Sequence, residues 1–227
     1  MKTSIAFLFL ILAVIALSAL FRAGDKPVAQ PAAGLPWQIE ILPGGETRVF
    51  GLTPARSTLD EARGRFGMDM EIAVIAAPGE PGSLEAYASN VTTGLITGKM
   101  ILVADVDRET VAQLRQRAVK SVHMDSSTRK YILRHDDLAL AWRSPIAGIT
   151  FIPAAGLDEQ TVLSRFGEPA ERIRIDERVE HFLYPDKGLD LALDSKGKEV
   201  LQYVAPRRFA RLREPLIKAA AVTAPSP

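Results

Sequence analysis

The sequence contains no cysteine, and this absence excludes several classes of function at once. Without a thiol there is no disulfide framework, no thiolate nucleophile and no cysteine-based metal site. Attachment to a membrane through a lipidated cysteine is excluded as well. An excess of charge is also missing, because 28 lysine and arginine residues stand against 27 aspartate and glutamate residues. Since nucleic-acid binding normally shows a clear basic excess, we expect no nucleic-acid partner.

Histidine is scarce, and the familiar catalytic motifs do not occur. The three histidines, His123, His135 and His181, lack the spacing that places two metal ligands on one face of a helix or strand. There is no Gly-x-Ser-x-Gly, no P-loop and no Gly-x-Gly-x-x-Gly. A Ser-x-x-Lys pattern occurs at residues 127–130 and 195–198, but neither begins a predicted helix, where acyl-transfer chemistry needs it. We therefore predict that the protein is not an enzyme and has no catalytic residue, cofactor or metal site.

The longest apolar run lies near the N-terminus, at residues 5–21, between Lys2 and Arg22. It is at the short end of the range for a membrane-spanning helix and long for the core of a signal peptide. Residues 1–24 are therefore predicted to be a membrane anchor, with a cleaved signal peptide as the alternative. Lys2 and the amino terminus favour a cytoplasmic N-terminus. The prediction is a single-pass inner-membrane protein, anchored through residues 5–21, whose body lies in the periplasm.

The composition changes after this run. Residues 25–36 are rich in proline and alanine and lack hydrophobic periodicity, which is typical of an extended linker. Folded sequence begins near Trp37, where two strands are predicted around a Pro-Gly-Gly turn. The strongest helical pattern follows Asp107 and predicts a helix over residues 108–122.

The tripeptide Arg-Phe-Gly occurs twice, ending at Gly67 and again at Gly167. In both places it closes a short predicted helix. Phe66 and Phe166 would pack the helix onto a sheet, and the glycines would let the chain leave the helix at positive φ. The pattern predicts that one structural unit is used twice, and a coincidence of three residues is the alternative.

The two predicted units have the same order of elements. Thr58 and Asp158 cap the two short helices, and each helix is followed by predicted strands joined by turn residues. We predict an α+β protein with two related modules, each made of short helices packed on an antiparallel sheet. The first module covers residues 37–150 and the second covers residues 151–206.

The second module resembles a known family. It contains Gly156-Leu157-Asp158-x-x-x-Val162-x-x-x-Phe166-Gly167-x-Pro169, followed by Phe-Leu-Tyr-Pro-Asp-Lys-Gly-Leu-Asp-Leu-Ala-Leu-Asp and a final strand that runs to Val204. This pattern resembles the outer-membrane assembly lipoproteins of the BamE/SmpA/OmlA family, which have such a helix signature and a tyrosine-containing strand pair. The tandem arrangement is similar to the β-lactamase inhibitory proteins, whose two repeats form a concave binding sheet. The resemblance implies a non-catalytic envelope module that binds other proteins.

The sequence departs from these families in three respects. It has neither the lipidated cysteine of the first family nor the disulfides of the second. Its first unit is degenerate, because Met68-Asp69 stands where the second unit has Glu168-Pro169.

Residues 207–227 form a predicted basic C-terminal tail. Phe209 and Leu212 lie between its arginines, so anionic lipid headgroups or an acidic partner surface are candidate ligands. The alternative is a solvated helix whose two apolar side chains dock on the body. The candidate binding residues are Arg207, Arg208, Arg211 and Arg213.

These features predict a non-enzymatic, membrane-anchored periplasmic accessory or scaffold protein that binds a protein partner of the bacterial cell envelope. The alternatives are a periplasmic enzyme with an unrecognised carboxylate-based site and a module that binds anionic lipid. An exposed apolar patch on a sheet would favour the protein binder. A pocket of convergent carboxylates with shifted pKa values would favour the enzyme.

Overall fold

The computed structural model describes residues 34–124 and 127–223. The predicted anchor at residues 1–24, most of the predicted linker and the last four residues of the predicted tail lie outside the described residues. Within the part of the chain that is described, no helix is both long and apolar enough to cross a membrane.

The described residues have the predicted α+β fold, with helices and a large antiparallel sheet. The helices are α1 (Leu59–Phe66), α2 (Arg108–Arg117), α3 (His135–Arg143), α4 (Glu159–Phe166) and α5 (Ala210–Thr223). A short hairpin, β1 (Glu40–Ile41) and β2 (Thr47–Arg48), stands where two strands around a Pro-Gly-Gly turn were expected.

The remaining strands form one antiparallel sheet. They are β3 (Glu71–Ala76), β4 (Ser83–Thr93), β5 (Ile96–Ala104), β6 (Lys120–His123), β7 (Arg129–Ile132), β8 (Ile146–Pro153), β9 (Glu171–Arg174), β10 (Val179–Tyr184), β11 (Leu189–Asp194) and β12 (Val200–Val204). Their order across the sheet is β6-β7-β3-β4-β5-β8-β12-β11-β10-β9.

The main hydrophobic core lies between helices α1–α4 and one side of this sheet, which we call the first face. Successive strand residues point to opposite sides, so every second residue of the central strands enters this core. Phe151 of β8 and Tyr203 of β12 are fully buried there, and the ring of Phe50 packs against both, with centroid distances of 5.2 and 5.4 Å. The core therefore joins the strands of both predicted modules.

Helix α5 packs on the opposite side of the sheet, which we call the second face. Phe209 and Leu212 lie in a smaller cluster with Ile173 of β9, Leu183 of β10 and Val204 of β12. The predicted tail therefore includes a helix that is docked on one end of the second face.

The sheet continues across the predicted module boundary. Strand β8 pairs with β5 on one side and with β12 on the other. Because β8 covers residues 146–153, the boundary between residues 150 and 151 falls inside a strand. The two predicted modules share this strand and one continuous sheet.

The helix predicted over residues 108–122 was wrong at its C-terminal end. Helix α2 ends at Arg117, and Ala118 has an extended ψ of 139°. The Val119 amide then donates to the Ile132 carbonyl (2.9 Å), and residues 120–123 pair with β7. Pairing with a distant strand overrides the local helical pattern here.

Candidate functional site

Apolar side chains occupy the part of the second face that lies beyond α5. Ala73, Ile75, Tyr87, Ile101 and Ile152, on β3, β4, β5 and β8, line a cavity of about 420 Å³ together with Met124. Charged residues border the same cavity: Glu71, Glu85, Lys99 and Lys130. We call these ten residues the open face.

The strands under the open face are apolar on both sides. Val74 and Leu102 are fully buried in the main core, whereas their chain neighbours Ile75 and Ile101 point to the second face and are half-buried. An antiparallel sheet with one solvated side usually alternates apolar inward residues with polar outward ones. Apolar side chains on an outer face mark a surface suited to binding another molecule.

The charged rim of the open face is partly paired and partly desolvated. Lys130 forms an ion pair with Glu71 across β7 and β3. Burial raises the pKa of the Glu85 carboxyl, and a hydrogen bond of 2.5 Å from Ser83 Oγ opposes this effect. Lys99 is exposed. The rim therefore presents a desolvated carboxyl on β4 and a cation on β5.

The four candidate arginines of the tail do not form one patch. Arg208 forms an ion pair of 2.5 Å with Asp105, and Arg213 binds Glu171 through two hydrogen bonds of 2.6 and 3.0 Å. The pKa of Glu171 is lowered, chiefly by its hydrogen bond from Arg213. The other two, Arg207 and Arg211, are exposed. Two of the four cations therefore serve to attach the C-terminal segment to the body.

The repeated residues lie at equivalent places in the two helices. Phe66 is the last residue of α1 and is half-buried, and Phe166 is the last residue of α4 and is buried. The amides of Gly67 and Gly167 each donate to a carbonyl four residues earlier, at 3.0 Å in both cases. Their φ angles are +127° and +82°, which favour glycine.

The segment that carries the family resemblance is held together by contacts between α4 and the turn after β10. The Tyr184 hydroxyl donates to the Gly167 carbonyl at 2.9 Å, and Lys187 donates to the Phe166 carbonyl. Trp37 meets the Phe166 ring edge to face, with a centroid distance of 6.3 Å. The two hydrogen bonds satisfy carbonyls that have no partner within the helix at its C-terminal end.

Sequence reasoning missed a pair of side chains on β10 and β11. His181 Nδ1 lies 2.8 Å from Asp190 Oδ1, and Asp190 is only 2% exposed. The two residues are diagonal neighbours, because His181 stands opposite Ala192. The turn residues between the strands predicted a hairpin, but the contact also required its register.

Within residues 34–124 and 127–223, no group of three or more histidine, aspartate or glutamate side chains is placed to hold a metal ion. Comparisons with protein-family models, with curated proteins and with solved structures find no match for this chain.

Proposed function

We propose that this protein is a non-enzymatic accessory or scaffold protein of the bacterial cell envelope, and that it binds a protein partner through the open face. The observation that carries the proposal is the band of half-buried apolar side chains on the second face of β3, β4, β5 and β8. In a soluble sheet these positions are usually polar.

The open face favours a protein partner over a small-molecule substrate. Three of its apolar residues, Ile75, Tyr87 and Ile101, lie on three adjacent strands, so a ligand would contact several strands at once. Tyrosine and methionine are common at the centres of protein interfaces, and a charged rim sets the register of the partner. We expect the partner to place an apolar side chain on the open face. On either side of it, a cation of the partner would face Glu85 and a carboxyl group would face Lys99.

The order of strands supports the proposed repetition. Strands β3, β4, β5 and β8 lie side by side in chain order, and so do strands β9, β10, β11 and β12. The two sets meet where β8 pairs with β12. Helix α1 precedes the first set, as α4 precedes the second. We propose two related modules joined along β8 and β12, with the second module of the BamE-like type.

The proposed location follows from the N-terminal sequence. An anchor at residues 1–24 and an extended linker at residues 25–36 would hold the body in the periplasm near the inner membrane. A partner would then be an envelope protein within reach of the linker.

Site-specific photocrosslinking tests this function. A benzophenone amino acid replaces Tyr87 or Ile101 in the full-length chain, expressed in a Gram-negative host. Control positions are Leu95, which is 86% exposed in the turn between β4 and β5, and Ile217 on α5. We expect one protein adduct of the same mass at positions 87 and 101 and none at the controls.

A second variant shows whether the adduct depends on the open face. Ile101→Lys places a charge at its centre and should abolish the adduct formed from position 87. Equal labelling from all four positions, or no adduct from the open face of a folded and correctly located protein, would contradict the proposal.

A further inference from the structure

A second cavity, of about 580 Å³, lies on the α4 side of the sheet, away from the open face. It is bordered by the segment 156–161 at the start of α4 and by residues of β9, β10 and β11 with their connecting turns. We call it the acidic cleft. Its charged lining consists of six carboxylates and two guanidinium groups: Asp158, Glu159, Glu177, Glu180, Asp194, Glu199, Arg174 and Arg178.

The two arginines of the acidic cleft are already paired. Arg174 lies 3.0 Å from Glu180, and Arg178 binds both oxygens of Asp194 at 2.9 and 3.1 Å. Glu159 pairs at 2.6 Å with Arg172, which does not line the cleft. The carboxylates that remain have no cation partner within the cleft.

Glu199 is the residue that points to a ligand. Its side chain lines the cleft although the residue is only 8% exposed, and its Oε2 atom is buried without a hydrogen-bond partner among the described residues. An unpaired buried carboxylate oxygen costs free energy that a bound donor would recover. Native proteins contain few such atoms, so each one calls for an explanation.

Two neighbouring carboxylates are held in their ionised form. Asp158 Oδ1 accepts the Thr161 amide at 2.7 Å, and hydrogen bonds to Thr161 lower the pKa of Asp158. The Lys196 amide donates to Asp194 Oδ1 at 2.9 Å, and this bond is the main cause of the lowered pKa of Asp194. The cleft therefore keeps its negative charge at neutral pH. Both pKa shifts are downward and arise from capping and turn hydrogen bonds, whereas a general acid at neutral pH needs a raised pKa, so these two groups do not favour the enzyme alternative.

The shape and lining of the cleft favour an organic cation over a metal ion. Leu157 and Leu193 are half-buried in its wall, next to the carboxylates. Apolar walls beside anions suit a long side chain that packs its methylene groups and ends in a charge. No set of acidic residues in the described ranges is placed to ligate a metal ion. The geometry thus fits an organic cation with several hydrogen-bond donors.

We propose that the acidic cleft binds an alkylammonium or guanidinium group, with Glu199 at its floor and Glu177 at its rim as the anions that receive it. The group belongs to a free polyamine or to a lysine or arginine of a basic peptide segment. This inference is independent of the proposed function, because the cleft and the open face share no residue.

Titration calorimetry with the full-length chain in detergent micelles tests the proposal. The probes are spermidine, an arginine tripeptide with blocked ends, and calcium chloride, each at low ionic strength. We expect spermidine or the tripeptide to bind, and added salt to weaken the binding through screening. Binding of spermidine alone would assign the site to free polyamines, and binding of the tripeptide alone would assign it to a basic peptide.

Three variants locate the binding. Glu199→Gln and Glu177→Gln should each weaken it at least tenfold, whereas Glu168→Gln should leave it unchanged, because Glu168 is exposed and does not line the cleft. Glu199→Gln should also leave the melting temperature unchanged or raise it, because Oε2 makes no hydrogen bond within the described residues that the change could remove. A lowered melting temperature with unchanged binding would show a purely structural role and overturn the proposal.

Two other results would overturn it. One is no heat with spermidine or tripeptide at millimolar concentration while the wild-type protein is folded. The other is binding of calcium alone that is lost in Glu199→Gln, which would make the cleft a metal site.

Discussion

The hydroxyl of Tyr184 donates a hydrogen bond to the carbonyl of Gly167 at 2.9 Å, and this contact ties the end of β10 to the end of α4. The two residues belong to the two parts of the family-like segment, the helix signature and the tyrosine-containing strand. The ring of Tyr184 also packs against Phe166, with a centroid distance of 6.2 Å. A hydrogen bond and a ring contact thus connect residues that are separated by a helix end, β9 and β10.

We expect Tyr184→Phe to lower the free energy of unfolding by about 1 kcal/mol, because the ring is kept and one hydrogen bond to a carbonyl is lost. Urea unfolding followed by circular dichroism measures the change. Tyr87→Phe is the matched control, since its ring lies on the open face, and it should change the free energy by less than about 0.5 kcal/mol. Equal effects of the two changes would argue against a role for the Tyr184 hydrogen bond.

Alkaline pH should destabilise the protein through its buried tyrosines. Burial, with a smaller contribution from Glu168, raises the pKa of Tyr184 from 10.0 to about 12, and burial raises that of Tyr203 well above 10.0. Folding therefore favours the protonated hydroxyls. Their stabilising contribution is fully present below pH 10 and is lost as the pH rises through the folded pKa values.

Absorbance at 295 nm, recorded from pH 8 to 12.5, tests this expectation. In the native protein we expect Tyr184 to ionise near pH 12 and Tyr203 only on unfolding, and Tyr184→Phe should remove the first of these steps. If all four tyrosines of the folded protein ionised near pH 10, the burial of the Tyr184 and Tyr203 hydroxyls would be contradicted.

Alanine should have opposite effects at two glycines near the same helix. Gly67 has φ +127° and ψ 148°, a region that is almost exclusive to glycine, so Gly67→Ala should cost about 1–3 kcal/mol. Gly64 lies inside α1, and a Cβ there would meet no heavy atom within 4 Å. Gly64→Ala should therefore stabilise the protein by up to about 1 kcal/mol.

The equivalent glycine of the second unit extends this test. Gly167 has φ +82° and ψ −174°, and a Cβ there would meet no heavy atom within 4 Å. The loss in free energy of unfolding caused by Gly167→Ala therefore measures backbone strain alone. Chemical denaturation should give Gly64→Ala a higher free energy of unfolding than the wild type. It should give Gly67→Ala and Gly167→Ala a lower one. A neutral effect at Gly67 and Gly167 would contradict the conformational requirement on which the repeat pattern depends.

Docking of α5 should depend on Phe209 more than on the tail arginines. Phe209→Ala removes a buried ring from the cluster on the second face and should cost about 3 kcal/mol. Arg213→Ala breaks an ion pair between half-exposed side chains, so we expect a much smaller loss than for Phe209→Ala. Hydrogen exchange of the α5 amides should accelerate strongly in the first variant only. Equal protection in both variants would show that the helix is held by other contacts.

Local patterns predicted the elements in which neighbouring residues decide the conformation. Asp158 and Thr58 accept the amides of Thr161 and Glu61, as the capping pattern requires, and both helices end at the glycines that were identified. The hairpin at residues 40–48 likewise follows from its turn residues. Capping and turn formation involve contacts within a few residues, so a short stretch of sequence is sufficient to predict them.

Contacts between distant residues could not be predicted in the same way. The end of α2 at Arg117 depends on pairing of residues 120–123 with β7. The ion pair of Arg208 with Asp105 joins two residues that are more than one hundred positions apart. The open face was missed because alternation along one strand does not reveal which strands lie beside it or whether a helix covers it.

The sequence by itself determined the α+β class, the capped helices, the glycine ends and the lack of any cysteine chemistry, because these depend on residue type and short-range geometry. Only the tertiary structure decided that β8 and β12 join the two halves in one sheet, that α5 covers only one end of its second face, and that Glu199 Oε2 is buried without a hydrogen-bond partner among the described residues. Those features depend on contacts between residues that are far apart in the chain. The free energy of each contact depends on all the residues that pack around it, so a short stretch of sequence is not sufficient to predict it.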